Sequence, residues 1–66
     1  MENKMKQIRS EKGMTQRQLS DATGISERQI CVIENGAATP GLDSANAIAK
    51  ALGVQIEDIW QLEVSR

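Results

Sequence analysis

Sixty-six residues with a formal net charge of −1 make one domain, close to the lower limit at which a hydrophobic core supports itself. Apolar residues at 39% and charged residues at 26% exclude a disordered chain. One cysteine excludes an intrachain disulfide, the lack of histidine argues against structural zinc, and no apolar run reaches the roughly 18 residues of a membrane span.

The first predicted helix covers about residues 4–12, turns Met5, Ile8 and the stem of Lys12 inward, and ends at Gly13. Thr15 with Gln18 three residues on forms a capping box. It opens a second helix over residues 16–23, which buries Leu19 and Ala22 and stops at Gly24. Ile25 follows, and Ser26 with Gln29 repeats the box. The third helix then runs to Glu34 or Asn35, before Gly36. The stretch GAATPG, residues 36–41, is a loop because Pro40 cannot continue a helix. Leu42, Ala45, Ile48, Ala49 and Leu52 then recur at helical spacing, with Gly53 as the stop. Ile56, Ile59 and Trp60 mark a short fifth helix. Beyond it Trp60, Leu62 and Val64 alternate with polar residues, as in a short extended tail. The predicted fold is all-α: a compact five-helix bundle in a single domain, residues 1–66, whose second and third helices form a helix-turn-helix over about 15–36.

In such a motif the second of the two helices enters the major groove of DNA and the start of the first meets the backbone. Leu19, Ile25, Ile30 and Ile33 stand where the two helices must pack, and Gly24 where the chain must turn. At about 100° per residue, Ile30 and Ile33 share one side of the third helix, with Gln29 and Glu34 at its margins. Glu27, Arg28, Cys31, Val32 and Asn35 fill one outward arc. That arc suits contact with another molecule; an ordinary solvated face with a stray valine accounts for it equally well. Charge is also uneven. Lys4, Lys6, Arg9, Lys12, Arg17 and Arg28 precede residue 30, while Glu57, Asp58 and Glu63 lie near the end, so one face suits a polyanion.

Thr15-Gln16, Leu19, Gly24-Ile25-Ser26, Ile30, Ile33-Glu34-Asn35-Gly36 and Pro40 together resemble the phage repressor and Cro (Xre-like) helix-turn-helix family. The likeness extends through IAKALGV and IEDI and covers about residues 4–60. It implies a sequence-specific transcriptional regulator, prokaryotic or phage, that binds double-stranded DNA with the third helix in the major groove. Carried over by position, Glu27, Arg28 and Val32 are the base-contacting residues. Arg28 would pair with guanine, Glu27 would accept from cytosine N4, and Val32 would meet a thymine methyl. Gln16 would touch a phosphate or brace the first recognition residue, and Asn35 would contact the backbone just past the helix. Arg17 is a phosphate candidate from its charge and place alone. Arg9 and Glu34 match a pair that joins the first helix to the recognition helix in relatives, a structural ion pair without DNA contact. Three features depart from the family pattern. Ser20 replaces alanine, Cys31 replaces serine, and residues 37–39 carry no lysine or arginine. The last removes phosphate contacts and shifts the burden to dimerisation and base readout.

Cys31 on the outward arc is either a redox-sensitive thiol or, as we favour, a small residue tolerated close to DNA. Trp60, the only aromatic, is expected in an interface or over the core rather than stacked on a base. No cofactor, metal, membrane or small-molecule ligand is implied, and no catalytic constellation is present, so an enzyme is not expected. Residues 1–12 lack a signal peptide's apolar block, so the expected location is cytoplasmic. Because so small a core needs help, a homodimer is expected through residues 54–66, with Ile56, Ile59, Trp60, Leu62 and Val64 at the interface. The leading expectation is a dimeric repressor on a pseudo-palindromic operator. The alternative is a protein-interaction module of antitoxin or anti-repressor type with little DNA binding of its own.

Overall fold

A computed structural model describes residues 3–60. Five helices follow in order: α1 (Met5–Glu11), α2 (Gln16–Thr23), α3 (Glu27–Glu34), α4 (Leu42–Leu52) and α5 (Ile56–Ile59). No strand occurs among the described residues, and none of their helices is long and apolar enough to cross a membrane. The fold is therefore the all-α five-helix bundle that the sequence predicts. The expected extended tail, with Leu62 and Val64, lies outside the described residues; Trp60 itself has left the helix with extended backbone angles.

Helix α2 is the centre of the packing, touching both α3 and α4, while α4 carries α5. The core comprises Met5, Leu19, Ile30, Ile33, Ala45, Ile48, Ala49, Leu52, Ile59 and Trp60. Each of its large aliphatic members contributes about 1.5–3 kcal/mol by leaving water. Helix α1 adds Met5 to this core, packs half-buried Ile8 against it and is tied down by polar bonds. The Lys4 N–H donates to the Ile59 carbonyl at 2.8 Å, and Arg9 lies buried against the neighbouring helices.

Three expected inward residues point elsewhere. Lys12 is exposed, because α1 ends before it and Arg9, one turn after Met5, takes the inward place. Ala22 is exposed because the covered side of α2 continues from Leu19 to half-buried Thr23. The Thr23 hydroxyl donates to the Leu19 carbonyl at 2.8 Å. Leu42 is 73% exposed: the first turn of α4 projects past the packed surface, which begins at Ala45.

The helix ends follow local chemistry. Thr15 Oγ1 accepts from the Gln18 N–H at 3.0 Å while Gln18 Oε1 accepts from the Thr15 N–H at 2.9 Å, closing the capping box. At Ser26 the cap is one-sided: its hydroxyl accepts from the Gln29 N–H at 3.1 Å, and the Gln29 side chain stays exposed. Asp58 Oδ2 likewise accepts from the Gln55 N–H at 2.9 Å, allowing the four-residue α5 to start.

Candidate nucleic-acid interface

The angle between α2 and α3 is set by the turn at Gly24, which adopts φ 78° and ψ 7°, the left-handed region open to glycine. Side chains on either side tie the turn down. Thr23 Oγ1 accepts from the Ile25 N–H at 3.2 Å, and the Ser20 hydroxyl donates to the Ile25 carbonyl. Ser20 thus does more than tolerate its position, since the hydroxyl that alanine lacks bridges the end of α2 to the start of α3.

Beyond the turn, α3 separates its faces as the helical spacing requires. Ile30 and Ile33 are buried; Glu27, Arg28 and Asn35 are exposed, with Cys31 and Val32 half-buried beside them. Glu27, Arg28 and Val32 therefore share one accessible surface. The Asn35 amide rests on the Cys31 sulfur at 3.7 Å, and Cys31 is a free thiol. The helix closes in a Schellman motif: Ala37 N–H donates to the Val32 carbonyl at 3.1 Å and Gly36 N–H to the Ile33 carbonyl at 3.0 Å. This termination fixes Asn35 at the rim of the same surface.

Behind this surface sits a buried polar network. Arg9 Nε donates to Glu34 Oε2 at 2.6 Å, with side-chain exposures of 11% for Arg9 and 2% for Glu34. Arg9 Nη2 reaches Glu34 Oε1 at 3.3 Å, and Arg9 Nη1 donates to the Met14 carbonyl at 2.6 Å. Gln16 Nε2 donates to Glu34 Oε1 at 3.1 Å. The last residue of α3 is thereby fixed to α1, to the α1–α2 connection and to the first residue of α2. Gln16 is bonded to Glu34 at the end of α3 and not to the first recognition residue that the resemblance named for bracing. Arg17 is exposed beside it. Because Thr15 satisfies the Gln18 amide, the Gln16 and Arg17 N–H groups at the start of α2 remain outside the helical ladder, where an anion is favoured.

Of the residues expected at an interface between subunits, Ile59 and Trp60 are buried within their own chain and Ile56 is half-buried. The described residues contain no cluster of histidine, cysteine or carboxylate side chains that would hold a metal ion. Sequence reasoning missed Asn3, whose side-chain amide donates to the Ile33 carbonyl at 2.9 Å across 30 positions of chain. An asparagine just ahead of a predicted helix was a legible capping signal, but nothing in the spacing linked it to α3.

A family model described as Helix-turn-helix matches residues 5–59. The chain belongs to the Xre-like helix-turn-helix family. This is a family of DNA-binding transcriptional regulators. An uncharacterized HTH-type transcriptional regulator of Methanocaldococcus jannaschii is 43% identical over 63 residues, covering 96% of each chain. One from Bacillus subtilis is 35% identical over 63 residues, again 96% of each. A third, from Methanothermobacter thermautotrophicus, is 38% identical over 64 residues, 96% of this chain and 93% of the relative. The match to this helix-turn-helix family spans all five helices, so α4 and α5 belong to the same unit as the motif.

Proposed function

We propose that this protein is a dimeric, sequence-specific repressor that reads a pseudo-palindromic operator through the major groove. The observation that carries the reading is the division of α3. Its inner side is buried and braced through Glu34, while Glu27, Arg28 and Val32 stand together on accessible surface. In this reading Arg28 makes a bidentate contact to guanine, Glu27 accepts from cytosine and Val32 meets a thymine methyl. Arg17, Asn35 and the second Gln16 N–H take the backbone. The protein would repress by occupying its site.

The decisive experiment is selection of bound duplexes from a random-sequence pool, followed by Arg28→Ala. That substitution should cost about 1–3 kcal/mol at one base pair and relax preference there. Arg17→Ala should instead weaken all sequences alike and flatten the salt slope by roughly one unit. An unchanged selected site in Arg28→Ala would refute the docking.

The dimer is part of this proposal. Ile59 and Trp60, held in their own core, would make α5 a firm platform from which Ile56, Leu62 and Val64 meet a second copy. Two recognition helices about 34 Å apart would then face successive major grooves. Sedimentation at micromolar concentration should give a dimer that a chain ending at Trp60 loses. A monomer that binds a palindrome with undiminished affinity would refute it.

A second reading, an antitoxin-like or anti-repressor interaction module, draws support from the net charge of −1 and the uncharged residues 37–39. A pool from which no duplex is enriched would favour that reading.

A further inference from the structure

We propose that Asn3 is a positioning residue for the recognition helix, a clamp whose side chain joins the start of α1 to the last turn of α3. The geometry is specific. Asn3 Oδ1 accepts from the Met5 N–H at 3.0 Å, and Asn3 Nδ2 donates to the Ile33 carbonyl at 2.9 Å, a partly buried bond. One partner is a donor and the other an acceptor, so the network permits only one orientation of the amide. The two halves of the amide act separately, the oxygen accepting from the first N–H of α1 and the nitrogen holding α3.

The point of attachment matters. The Ile33 carbonyl belongs to the last turn of α3, where backbone acceptors lack helical donors. It already accepts from the Gly36 N–H in the Schellman turn, and Asn3 supplies a second donor to the same oxygen. On its outward side this turn carries Val32 and Asn35. A loosened turn displaces both while leaving the start of the helix, with Ser26, Glu27 and Arg28, in place. The neighbouring Lys4 N–H is bonded to the Ile59 carbonyl at the end of α5. Adjacent residues thus tie the end of α3 and the end of α5 to the start of α1. The buried Arg9–Glu34 pair holds the same turn through a side chain, so the end of α3 is gripped from two points, one just ahead of α1 and one within it.

The consequence for DNA rests on the reading of α3 as the base-contacting helix; the clamp itself does not. The two halves of the amide are separated by Asn3→Asp, which keeps an oxygen acceptor for the Met5 N–H and cannot donate to the Ile33 carbonyl. Asn3→Ala removes both. Amide hydrogen exchange measured residue by residue on the full chain decides the clamp without DNA. In Asn3→Asp the amides of α1 should keep wild-type protection, whereas Gly36 and Ala37 should exchange about two- to twelvefold faster, the range one hydrogen bond commands. In Asn3→Ala the first turn of α1 should loosen as well. Gly36 and Ala37 exchanging at the wild-type rate in both variants would overturn the proposal. The second measurement is the ratio of affinities for a duplex selected by the wild-type chain and a scrambled duplex. A ratio cancels the general repulsion that an added carboxylate brings. It should fall about two- to twelvefold in Asn3→Asp, and an unchanged ratio beside faster exchange would refute the positioning role. Failure of the wild-type chain to select any duplex would count against the DNA reading alone, because the exchange measurement still decides whether Asn3 holds α3.

Discussion

Replacing Glu34 with leucine leaves the Arg9 guanidinium buried with only the Met14 carbonyl as a partner. Replacing Arg9 with methionine leaves a nearly inaccessible carboxylate with only the Gln16 amide. Both charges were taken out of water to form the pair, since side-chain exposures are 11% and 2%. Removing either partner strands the other, at a cost of about 3–5 kcal/mol. A domain of this length has a total stability of roughly 3–10 kcal/mol, at about 0.05–0.15 kcal/mol per residue. Each single variant is therefore expected to be marginal or unfolded. The double variant Arg9→Met with Glu34→Leu should recover most of the loss, because apolar groups of similar volume in place of a buried pair are often neutral or better. Gln16→Ala, which removes one neutral donor and leaves both Arg9 contacts, should cost only about 1 kcal/mol.

Urea unfolding is the assay. Trp60 is the only aromatic side chain and lies buried at the end of α5, so its fluorescence reports the core alone. Far-UV circular dichroism reports the helices independently, and coincident transitions support a two-state treatment. The reasoning requires single losses that do not add, with a coupling well above 1 kcal/mol. Additive losses of a few tenths of a kcal/mol each would place the pair in effectively open solvent and refute it.

Two further substitutions test the local structure. Gly24→Ala meets no atom within 4 Å of the added carbon, so its cost comes from the left-handed backbone alone and should be about 1–2 kcal/mol in the same urea assay. Leu42→Ser, at a side chain 73% exposed, should alter stability by no more than about 0.5 kcal/mol; a larger loss would mean that the first turn of α4 is covered.

The sequence was most legible where a local rule acts alone. Thr15 and Ser26 start their helices, Gly24, Gly36 and Gly53 mark the ends, and Leu19, Ile30, Ile33, Ile48 and Leu52 fill the core as their spacing requires. Periodicity failed at the margins. Ala22 and Leu42 lie near the ends of short helices, where facing the core does not ensure that a neighbouring element reaches far enough to cover the residue. Arg9 shows the opposite failure: charge argues for exposure, and only the resemblance to relatives indicated a partner in Glu34. The Gln16–Glu34 and Asn3–Ile33 bonds had no such signal, because a glutamine or asparagine amide pairs with almost any polar group. The outward arc of α3 was legible as geometry, while its use was not; a solvated face and a contact face have the same angular pattern.

The residues that hold α3 and those that would contact base edges are different residues. Ile30, Ile33 and Glu34 anchor the helix, Ser26 starts it, and Ser20, Thr23 and Gly24 set its entry angle. Among the described residues, the side chains of Glu27, Arg28, Val32 and Asn35 make no hydrogen bond or ion pair that supports the bundle, apart from the Asn35 contact to Cys31. Exchanging outward side chains therefore costs little stability, within about 0.5 kcal/mol at exposed positions, so one scaffold can carry many specificities. The charge balance points the same way. With no cation in residues 37–39, the loop after α3 would neutralise no phosphate, and the proposed docking would gain less from counterion release. In the proposed reading the protein would derive less of its affinity from contacts that every duplex offers and more from base edges. That raises the demand on rigid placement of α3, for a displaced guanidinium loses a bidentate contact altogether while a lysine near a phosphate loses only part of its attraction. In the proposed reading the buried Arg9–Glu34–Gln16 network and the Asn3 bond to the end of α3 would meet that demand by fixing the pose of the helix.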